Sequence, residues 1–505
     1  MSSSPYATEV AYVRQFCGEL SPTLLRVAAG LGGFRVEDRD DFDYCELGSG
    51  LGDTTCTLAA AYPRARFVGV DFNRAHVTFA REMAHRGGLE NVRLLERDFA
   101  DLEGEPLPEL DFVCAHGVLA WIAPDKQRAL IALAAKKLKP GGVLYVSYNA
   151  LPGWASVQPL RRLLTDAAGT TGSPLDRARR AVDLARTLRD GGAQYFASNP
   201  AAGEMVATMD RVGPGYTVHE YMQEHWRPMY FADLAAEMAA AGLRFAGELP
   251  LYRNVPRLTI PAGLGAFFEA PRDRIEAEHL KDFATNNFFR ADVYVKTTQP
   301  PDPAVASELL DGTRFGTLVT LDKVRRDARL AHHEIHTQGE PFDSLLANLC
   351  EHAATLREIA GRGSLARFGM DRLREAVVDL LAGEQITPMA PASNAAHVAA
   401  RYNRAVLEQP LSETHPVVLA SPVAGTGIAV PGLQAVCLRL LMLVDAPDRA
   451  AWIRAFVARQ PVRLHVADRP VSDPEEQARI IAAELERFRT QRLPKLQALG
   501  VVEAS

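Results

Sequence analysis

Between residues 42 and 148, short apolar runs alternate with longer stretches in which apolar residues recur at helical spacing. The stretches predict helices, and the runs predict five strands, at 42–47, 66–72, 92–98, 110–116 and 141–148. Strands and helices that alternate at this spacing predict a doubly wound, mainly parallel α/β sheet. We therefore expect a ligand at the carboxyl ends of these strands.

The flanking segments differ in pattern from the predicted sheet. Residues 6–31 predict one or two helices that could cover the ligand site, and the amphipathic helices after residue 156 carry arginines that suit a solvated face or a helix contact. Residues 216–251 mix aromatic side chains with an alanine-rich helix and a strand. The run TTQPPDPA, at 298–305, has the composition of a linker.

The last third of the chain predicts an α-rich binding or assembly module. Helical patterns cover 341–361 and 369–382, a break follows at 387–393, and an extended stretch at 415–432 precedes a final helical region. No internal repeat is present in the sequence.

Composition favours several globular units in a reducing compartment. The chain has 505 residues, 47% of them hydrophobic and 23% charged, and its net charge of −6 gives no electrostatic footprint for nucleic acid. None of the six cysteines has CxxC spacing. The N-terminus does not resemble a signal peptide, and the apolar run at 435–444 is short and broken by Arg439. We expect a cytoplasmic protein without a membrane span.

A glycine-rich loop follows the first predicted strand and limits the choice of ligand. Gly48, Gly50 and Gly52 form G-x-G-x-G rather than the dinucleotide pattern G-x-G-x-x-G, and Asp53 stands where the next helix begins. A carboxylate there would repel a pyrophosphate, which disfavours NAD and FAD. The loop therefore predicts a nucleoside-like ligand without a diphosphate.

Acidic residues end the next two predicted strands. Asp71 is placed to bind both hydroxyls of a ribose, and Asp98 with Phe99 suits the amino group and ring face of an adenine. S-adenosylmethionine would satisfy these positions, with its ammonium group at Glu46 and its carboxylate on the loop amides. Each signal alone is weak, but their order along successive strands is specific.

Five segments together resemble the successive motifs of class I S-adenosylmethionine-dependent methyltransferases: YCELGSGLGDTT, FVGVDFN, ERDFADL, DFVCAHGVLAWI and LKPGGVLYVSYNALPGWA. The segments YTVHEYMQEHWRPMYFADLAAEMAAAGLRF and KDFATNNFFRADVYVK resemble a methyltransferase regulatory domain. The later segments NRAVLEQPL and VVLASPVAGTGIAV are similar to the C-terminal region of rickettsial protein-lysine methyltransferases.

The resemblance implies a fold of several parts. These are a doubly wound Rossmann-like sheet, a mixed α+β regulatory domain and an α-rich, winged-helix-like C-terminal region. The expected boundaries are an N-terminal helical lid at 1–40, a methyltransferase domain at 41–155, a helical connector at 156–215, a regulatory domain at 216–297 and a C-terminal module at 306–505.

The resemblance implies S-adenosylmethionine as the cofactor and no metal. Methyl transfer is a direct displacement in which positioning matters more than a nucleophilic side chain. The expected cofactor site comprises Glu46, Gly48, Ser49, Gly50, Gly52, Asp71, Phe72, Asp98, Phe99, His116 and Gly117.

Four residues are candidates for acceptor chemistry. His116 would act as a base or orient the acceptor, or it would only cap the turn after its strand. Tyr148, Asn149 and Trp154 follow the fifth strand, either over the ligand face or in a packing turn between domains.

Two further patterns carry less weight. The aromatic residues between 216 and 230 suit either a domain interface or the wall of an acceptor channel. The run AHHEIH, at 331–336, does not have HExxH spacing and fits a solvated helix face.

The expected function is methylation of an amine, with a protein lysine as the first choice of acceptor. The [DN]PP[YF] motif of many enzymes that methylate planar nitrogens is missing, which lowers DNA and glutamine as acceptors. The alternatives are a small-molecule or sugar acceptor and a non-catalytic cofactor-binding regulator. Nucleic acid is not expected as a partner, and a homodimer is left open.

Overall fold

The computed structural model describes residues 14–270, 272–392, 396–410, 416–459, 464–466 and 469–503. The first part of the predicted N-terminal lid, residues 1–13, lies outside these ranges. Within them, a short 3₁₀ turn at Gly18–Leu20 precedes a single helix, α1 (Pro22–Leu31).

An eight-stranded sheet forms the centre of the protein. Its strands are β1 (Asp43–Leu47), β2 (Arg66–Asp71), β3 (Val92–Glu96), β4 (Leu110–Ala115), β5 (Leu138–Leu151), β6 (Met229–Tyr230), β7 (Leu243–Glu248) and β8 (Phe289–Lys296). The order along the sheet is β3-β2-β1-β4-β5-β8-β7, and β6 pairs with the end of β5. The first five strands pair in parallel, which confirms the doubly wound α/β class. The strand order reverses between β1 and β4, where such sheets bind ligands.

The segment at 216–297 completes this sheet. Strand β8 runs antiparallel to β5, from the Val143 and Val295 pair to the Asn149 and Phe289 pair, and β7 continues the sheet beyond β8. The predicted α+β segment therefore adds its two long strands to the catalytic sheet. The boundaries placed at 155 and 216 stay predictions.

Helices cover both faces of the sheet. Apolar residues of α1, α2 and α3 pack on one face, and those of α4 and α10 pack on the other. Helices α5 to α9 share a smaller core beyond the end of β5. The helices after α1 are α2 (Asp53–Ala61), α3 (Arg74–Gly87), α4 (Pro124–Lys137), α5 (Gln158–Ala168), α6 (Pro174–Asp190), α7 (Gln194–Ser198), α8 (Pro200–Val212), α9 (Pro214–Tyr221), α10 (Phe231–Ala240), α11 (Pro256–Thr259), α12 (Gly265–Glu269) and α13 (Arg274–Thr285).

The C-terminal region is mainly helical, with small two- and three-stranded sheets. Its helices are α14 (Pro303–Gly312), α15 (Phe342–Glu351), α16 (Leu356–Ile359), α17 (Met370–Ala382), α18 (Ala396–Leu407), α19 (Gly432–Leu443), α20 (Arg449–Arg459), α21 (Pro474–Gln491) and α22 (Leu493–Ala498). Its strands are β9 (Arg314–Gly316), β10 (Asp327–Arg329), β11 (Glu334–His336), β12 (Ala354–Thr355), β13 (Thr387–Pro388), β14 (Val417–Ser421), β15 (Thr426–Val430), β16 (Leu464–Val466) and β17 (Arg469–Val471).

The C-terminal region shares a core with the catalytic sheet. Tyr402 of α18 is buried against the end of α3, where a Cβ on Gly87 would lie 2.6 Å from its ring. Its hydroxyl lies 3.2 Å from that of Thr57 on α2. The buried hydroxyls of Ser21 and Thr426 are 2.6 Å apart. The predicted linker is therefore a short connection within one packed body.

Three smaller features complete the description. Residues 334–336 form a strand of the β10–β11 hairpin, so the helix face predicted for AHHEIH is wrong; His336 pairs instead with Asp327, 2.7 Å away across the hairpin. Within the described ranges, no helix is long and apolar enough to cross a membrane. All six cysteines are free thiols.

We predict that Tyr402→Ala lowers the free energy of unfolding of the whole protein by about 3–5 kcal/mol, because it opens a cavity between α18 and α3. Tyr402→Phe, which loses only the hydroxyl contact, should cost about 1 kcal/mol. Urea unfolding followed by tryptophan fluorescence and by circular dichroism measures both. Two separate transitions, of which only one responds to Tyr402→Ala, would contradict a shared core.

Candidate active site

The glycine loop is held against the end of β2. Gly48, Gly50 and Gly52 have φ angles of 79°, 52° and 76°, a region that side-chain-bearing residues rarely adopt. The backbone N–H groups of Gly48 and Ser49 donate to the carbonyl of Val70 at 2.8 and 3.0 Å. The loop that the sequence singled out therefore has a backbone that requires its glycines.

The Asp71 carboxylate stabilises this loop through a hydrogen bond to its backbone. Its Oδ2 accepts the N–H of Gly50 at 2.9 Å, and its Oδ1 accepts the N–H of Asn73 at 2.8 Å. The side chain is buried among these contacts. The sequence did not predict this structural role, and the contact with a ribose stays a prediction.

Glu46 is a buried carboxyl at the floor of the loop. Burial, together with the nearby charges of Asp53 and Asp71, raises its pKa to about 8, although a hydrogen bond from the Thr55 hydroxyl opposes this shift. In the part of the chain that the structure describes, no basic side chain pairs with Glu46. The floor of the loop is therefore suited to a cation.

Asp53, at the start of α2, is paired with a residue of the N-terminal segment. The Nε and Nη2 atoms of Arg14 lie 3.0 and 2.5 Å from its Oδ1. The N–H of Cys17 also donates to the Thr54 hydroxyl at 3.0 Å. Arg14 therefore offsets the charge of Asp53, and the repulsion expected between Asp53 and a pyrophosphate is weaker than the sequence alone indicates.

The predicted adenine and ribose contacts lie at the ends of neighbouring strands. Asp98 follows β3 and pairs with Lys126 of α4. Phe99 is half-buried at the start of a 3₁₀ helix, and Phe72, after β2, is 41% exposed.

His116 follows β4 and lies in a chain of hydrogen bonds. Its Nδ1 is 2.9 Å from the Tyr145 hydroxyl, which donates to Oε2 of Glu19, also at 2.9 Å. The Ser147 hydroxyl also lies 3.3 Å from Nδ1. In the tautomer that carries the ring proton on Nδ1, the Tyr145 oxygen accepts from Nδ1–H, and Nε2 keeps its lone pair. Burial lowers the pKa of His116 to about 4, which keeps the ring neutral.

The turn after His116 faces the glycine loop. Gly117 has φ of 64°, and its N–H donates to the Ser147 hydroxyl at 2.8 Å. A Cβ on Gly48 would lie 2.5 Å from Cγ2 of Val118, so the two turns touch. A Cβ on Gly50 or on Gly117 would meet nothing within 4 Å. The two turns therefore border one open crevice between β1 and β4.

The three remaining candidates do not share one surface. Side chains alternate along β5, so Tyr148 and Asn149 point to opposite faces. The Tyr148 hydroxyl is buried and donates to Asp292 at 2.7 Å. The amide nitrogen of Asn149 is buried without a hydrogen-bond partner among the described residues. Trp154 packs edge-on against Trp226, with ring centroids 5.0 Å apart.

Sequence patterns missed several residues around the crevice. Tyr145 and Ser147 alternate with the apolar positions of β5, and that period of two was the available signal. Glu19 and Thr55 gave no signal, since their partners are 126 and 9 residues away along the chain.

The crevice fits a cationic nucleoside. Its carboxyl groups, Glu46 and Asp71, favour positive charge, and the glycine positions leave space at the strand ends. Within the described ranges, no group of three His, Cys, Asp or Glu side chains is arranged to hold a metal.

Comparisons with known proteins identify two regions of the chain. A family model described as a methyltransferase domain matches residues 38–171, and one described as a predicted methyltransferase regulatory domain matches residues 213–296. An uncharacterized protein of Synechocystis is 29% identical over 504 residues, which cover 98% of this chain and 99% of the relative. A trans-aconitate 2-methyltransferase of Methylobacterium nodulans is 32% identical over 158 residues, covering 31% of this chain and 55% of that protein.

A solved structure shares the fold over nearly the whole length. It is the structure of PKMT2 from Rickettsia typhi in complex with AdoHcy, with a TM-score of 0.73 and 19% identity over 95% of this chain and 99% of that one. The chain is a class I S-adenosylmethionine-dependent methyltransferase that carries a methyltransferase regulatory domain.

Proposed function

We propose that the enzyme methylates an amine and that the acceptor is a protein lysine side chain. The observation that supports an amine acceptor is the series of hydrogen bonds from His116 through Tyr145 to Glu19. A lysine ammonium must lose a proton before its nitrogen can attack, and this series ends in a carboxyl that can receive one. A carboxylate acceptor, which is already ionised, would have no proton to lose and less need of it.

The cofactor supplies an electrophilic methyl group on a sulfonium. Glu46 would hold its ammonium group, the glycine loop its carboxylate, and Asp71 its ribose. Asp98, Phe99 and Phe72 would surround the adenine, with Ser49 and Gly117 as backbone walls. These assignments follow from the crevice between β1 and β4, whose acidic floor suits a cation.

His116 orients the acceptor and passes its proton on. The lone pair on Nε2 accepts a hydrogen bond from the acceptor nitrogen. When Nε2 takes the proton, Nδ1 releases its own to the oxygen of Tyr145, and the phenol proton moves to Glu19. Burial raises the pKa of Glu19, so this carboxyl binds a proton more readily than an exposed one.

The other candidates position the acceptor. The unpaired amide nitrogen of Asn149 is available to a carbonyl group of the acceptor. Trp154 forms part of an aromatic wall with Trp226. Tyr148 acts indirectly, since its hydroxyl is held by Asp292 and fixes the end of β5.

Two observations support a protein lysine. The sequence resembles rickettsial protein-lysine methyltransferases beyond the catalytic sheet, and the C-terminal region packs on that sheet as one body with a large surface. The second candidate is a small carboxylate acceptor, favoured by the match to a trans-aconitate methyltransferase.

We expect isotope from labelled S-adenosylmethionine to appear on lysine side chains when the protein is incubated with a bacterial lysate. Peptide mass mapping locates the label, and the variant Glu46→Gln serves as the inactive control. Label found only in the small-molecule fraction would support the second candidate and reject lysine.

We predict that cofactor binding releases protons near neutral pH. Glu46 is protonated below about pH 8 and must ionise to hold the ammonium group, so affinity should fall about tenfold for each pH unit below 8. Above about pH 8 the α-amino group of the cofactor loses its own proton, so affinity should peak there.

Calorimetry at pH 6.5 in two buffers with different ionisation enthalpies measures this proton release. Glu46→Gln should remove both the release and the acid limb, whereas Glu82→Gln, an exposed change on α3, should keep them. A wild-type affinity that is flat from pH 6 to 8 would show that Glu46 does not hold the ammonium.

We predict that Glu19→Gln lowers kcat by about 10²-fold or more, because the proton chain then has no final acceptor. The rate of the wild type should fall as Glu19 becomes protonated at acid pH, and the variant should lack this limb. Tyr145→Phe should give the same profile with unchanged cofactor affinity. If both variants keep the wild-type pH profile, the hydrogen bonds that join His116, Tyr145 and Glu19 have only a structural role.

A further inference from the structure

A cavity of about 450 Å³ opens between the end of β5, the start of α5 and the segment before β6. This volume lies within the range of small ligand sites. Its polar lining comprises Gln158, Arg161, Arg162 and Arg227, with the ring of Trp226 as one wall. We call this cavity the arginine pocket.

The arginine pocket has an excess of positive charge. Among the described residues, no carboxylate lines it, and of its three arginines only Arg162 has an acidic partner, the exposed Asp166 at 2.7 Å on the same helix. Arg161 and Arg227 have no acidic partner in the part of the chain that the structure describes. The arginine pocket therefore holds guanidinium groups that no described carboxylate compensates, although the net charge of the protein is −6.

Two buried donors in the pocket have nothing to bind. The Nε of Arg161 and the Nε1 of Trp226 are both buried without a hydrogen-bond partner among the described residues. Arg161 is fixed where it stands, because its Nη2 donates to the carbonyl of Gln223 and its guanidinium lies 5.0 Å from the Trp226 ring. Both groups are donors only, so a ligand must bring acceptor oxygens.

The pocket lies on the acceptor side of the active site. The N–H of Arg227 donates to the carbonyl of Ala120 at 2.8 Å, in the turn that follows His116. The Trp226 ring also packs against Trp154, at 5.0 Å, and Trp121, at 6.5 Å. The pocket is therefore joined to the catalytic turn through one backbone bond and three rings.

We propose that the arginine pocket binds a carboxylate of the acceptor, namely an acidic side chain near the lysine that receives the methyl group. Guanidinium groups bind carboxylates through paired N–H donors, and the Arg161 and Trp226 donors supply further contacts. Arg162, Arg227 and Gln158 lie at the exposed rim, which suits a residue of an extended peptide. This inference rests on the proposed amine methylation.

Binding is measured apart from methyl transfer. Two synthetic peptides, acetyl-Gly-Glu-Lys-Glu-Gly-amide and its counterpart with both Glu replaced by Gln, are titrated into the full-length enzyme with S-adenosylhomocysteine present. Tryptophan fluorescence reports the result, since Trp226 forms a wall of the pocket. We expect the acidic peptide to bind at least about tenfold more tightly.

Arg161→Gln with Arg227→Gln should remove this preference, and Arg227→Gln alone, which changes an exposed side chain, should reduce it. Arg179→Gln is the matched control, because it removes the same charge from an exposed position on α6. Citrate is titrated as a small carboxylate. The alternative outcome is that citrate binds the wild type, that only the pocket variants lose this binding, and that the two peptides bind equally. The pocket would then bind a free small carboxylate instead of an acidic side chain of the acceptor.

Equal binding of both peptides, together with no binding of citrate, would show that the arginine pocket does not bind a carboxylate. A peptide preference that the pocket variants abolish, without methylation of any lysine, would keep the pocket and reject the proposed acceptor instead.

Discussion

A single buried guanidinium, that of Arg290, joins the last strands of the sheet to the active site. It is fully buried and contacts Asp282 and Asp292 at 2.8 Å, Glu278 at 3.0 Å and Glu248 at 3.6 Å. These partners belong to β7, β8 and α13. An isolated charge at this depth would be very costly, so Arg290 and its carboxylates must be assembled together or not at all. The network thus ties β7, β8 and α13 together through one buried charge.

This arrangement sets the acceptor side of the site. Asp292 also accepts the Tyr148 hydroxyl, which fixes β8 against β5 in one register. The same register sets Asn149 opposite Phe289, whose ring is 6.1 Å from that of His116. A charge network remote from the crevice therefore positions residues within it.

Two buried carboxyl groups show how the protein separates structure from function. Glu248 and Glu46 are both buried, but the surrounding cations outweigh burial and hold the pKa of Glu248 below its usual range, whereas burial raises the pKa of Glu46 to about 8. Arg290, Lys281 and Arg253 surround Glu248, and no described basic side chain does so for Glu46. The charge of Glu248 is therefore compensated by basic side chains of the protein itself. The second carboxyl, that of Glu46, has no compensating cation among the described residues, and buried carboxyl groups with a perturbed pKa are concentrated at functional sites.

The sequence predicted the parts of the fold that depend on local patterns. Strands β1, β2 and β4 are almost fully buried, so their apolar runs were visible, and the positive φ angles of the loop required its glycines. Strand β8 was harder to place because Arg290 and Asp292 interrupt its apolar pattern, and only their pairing makes their burial possible. Glu19 and Tyr402 act across 126 and 345 residues of sequence, a separation at which no periodicity remains.

The two halves of the active site are held by different parts of the chain. The cofactor half depends on β1, β2 and the glycine loop, whose hydrogen bonds are all made by residues before 119. The proposed acceptor half depends on β5, on β8 and on the segment around Trp226, and therefore on the region that matches the regulatory domain. A displacement of that region would change the acceptor side through Asn149 and Trp154 while Glu46 and Asp71 kept their contacts. Among the described residues, the region that matches the regulatory domain supplies β8 and Trp226 and makes none of the hydrogen bonds that hold the glycine loop, so the proposed acceptor side depends on that region and the loop does not.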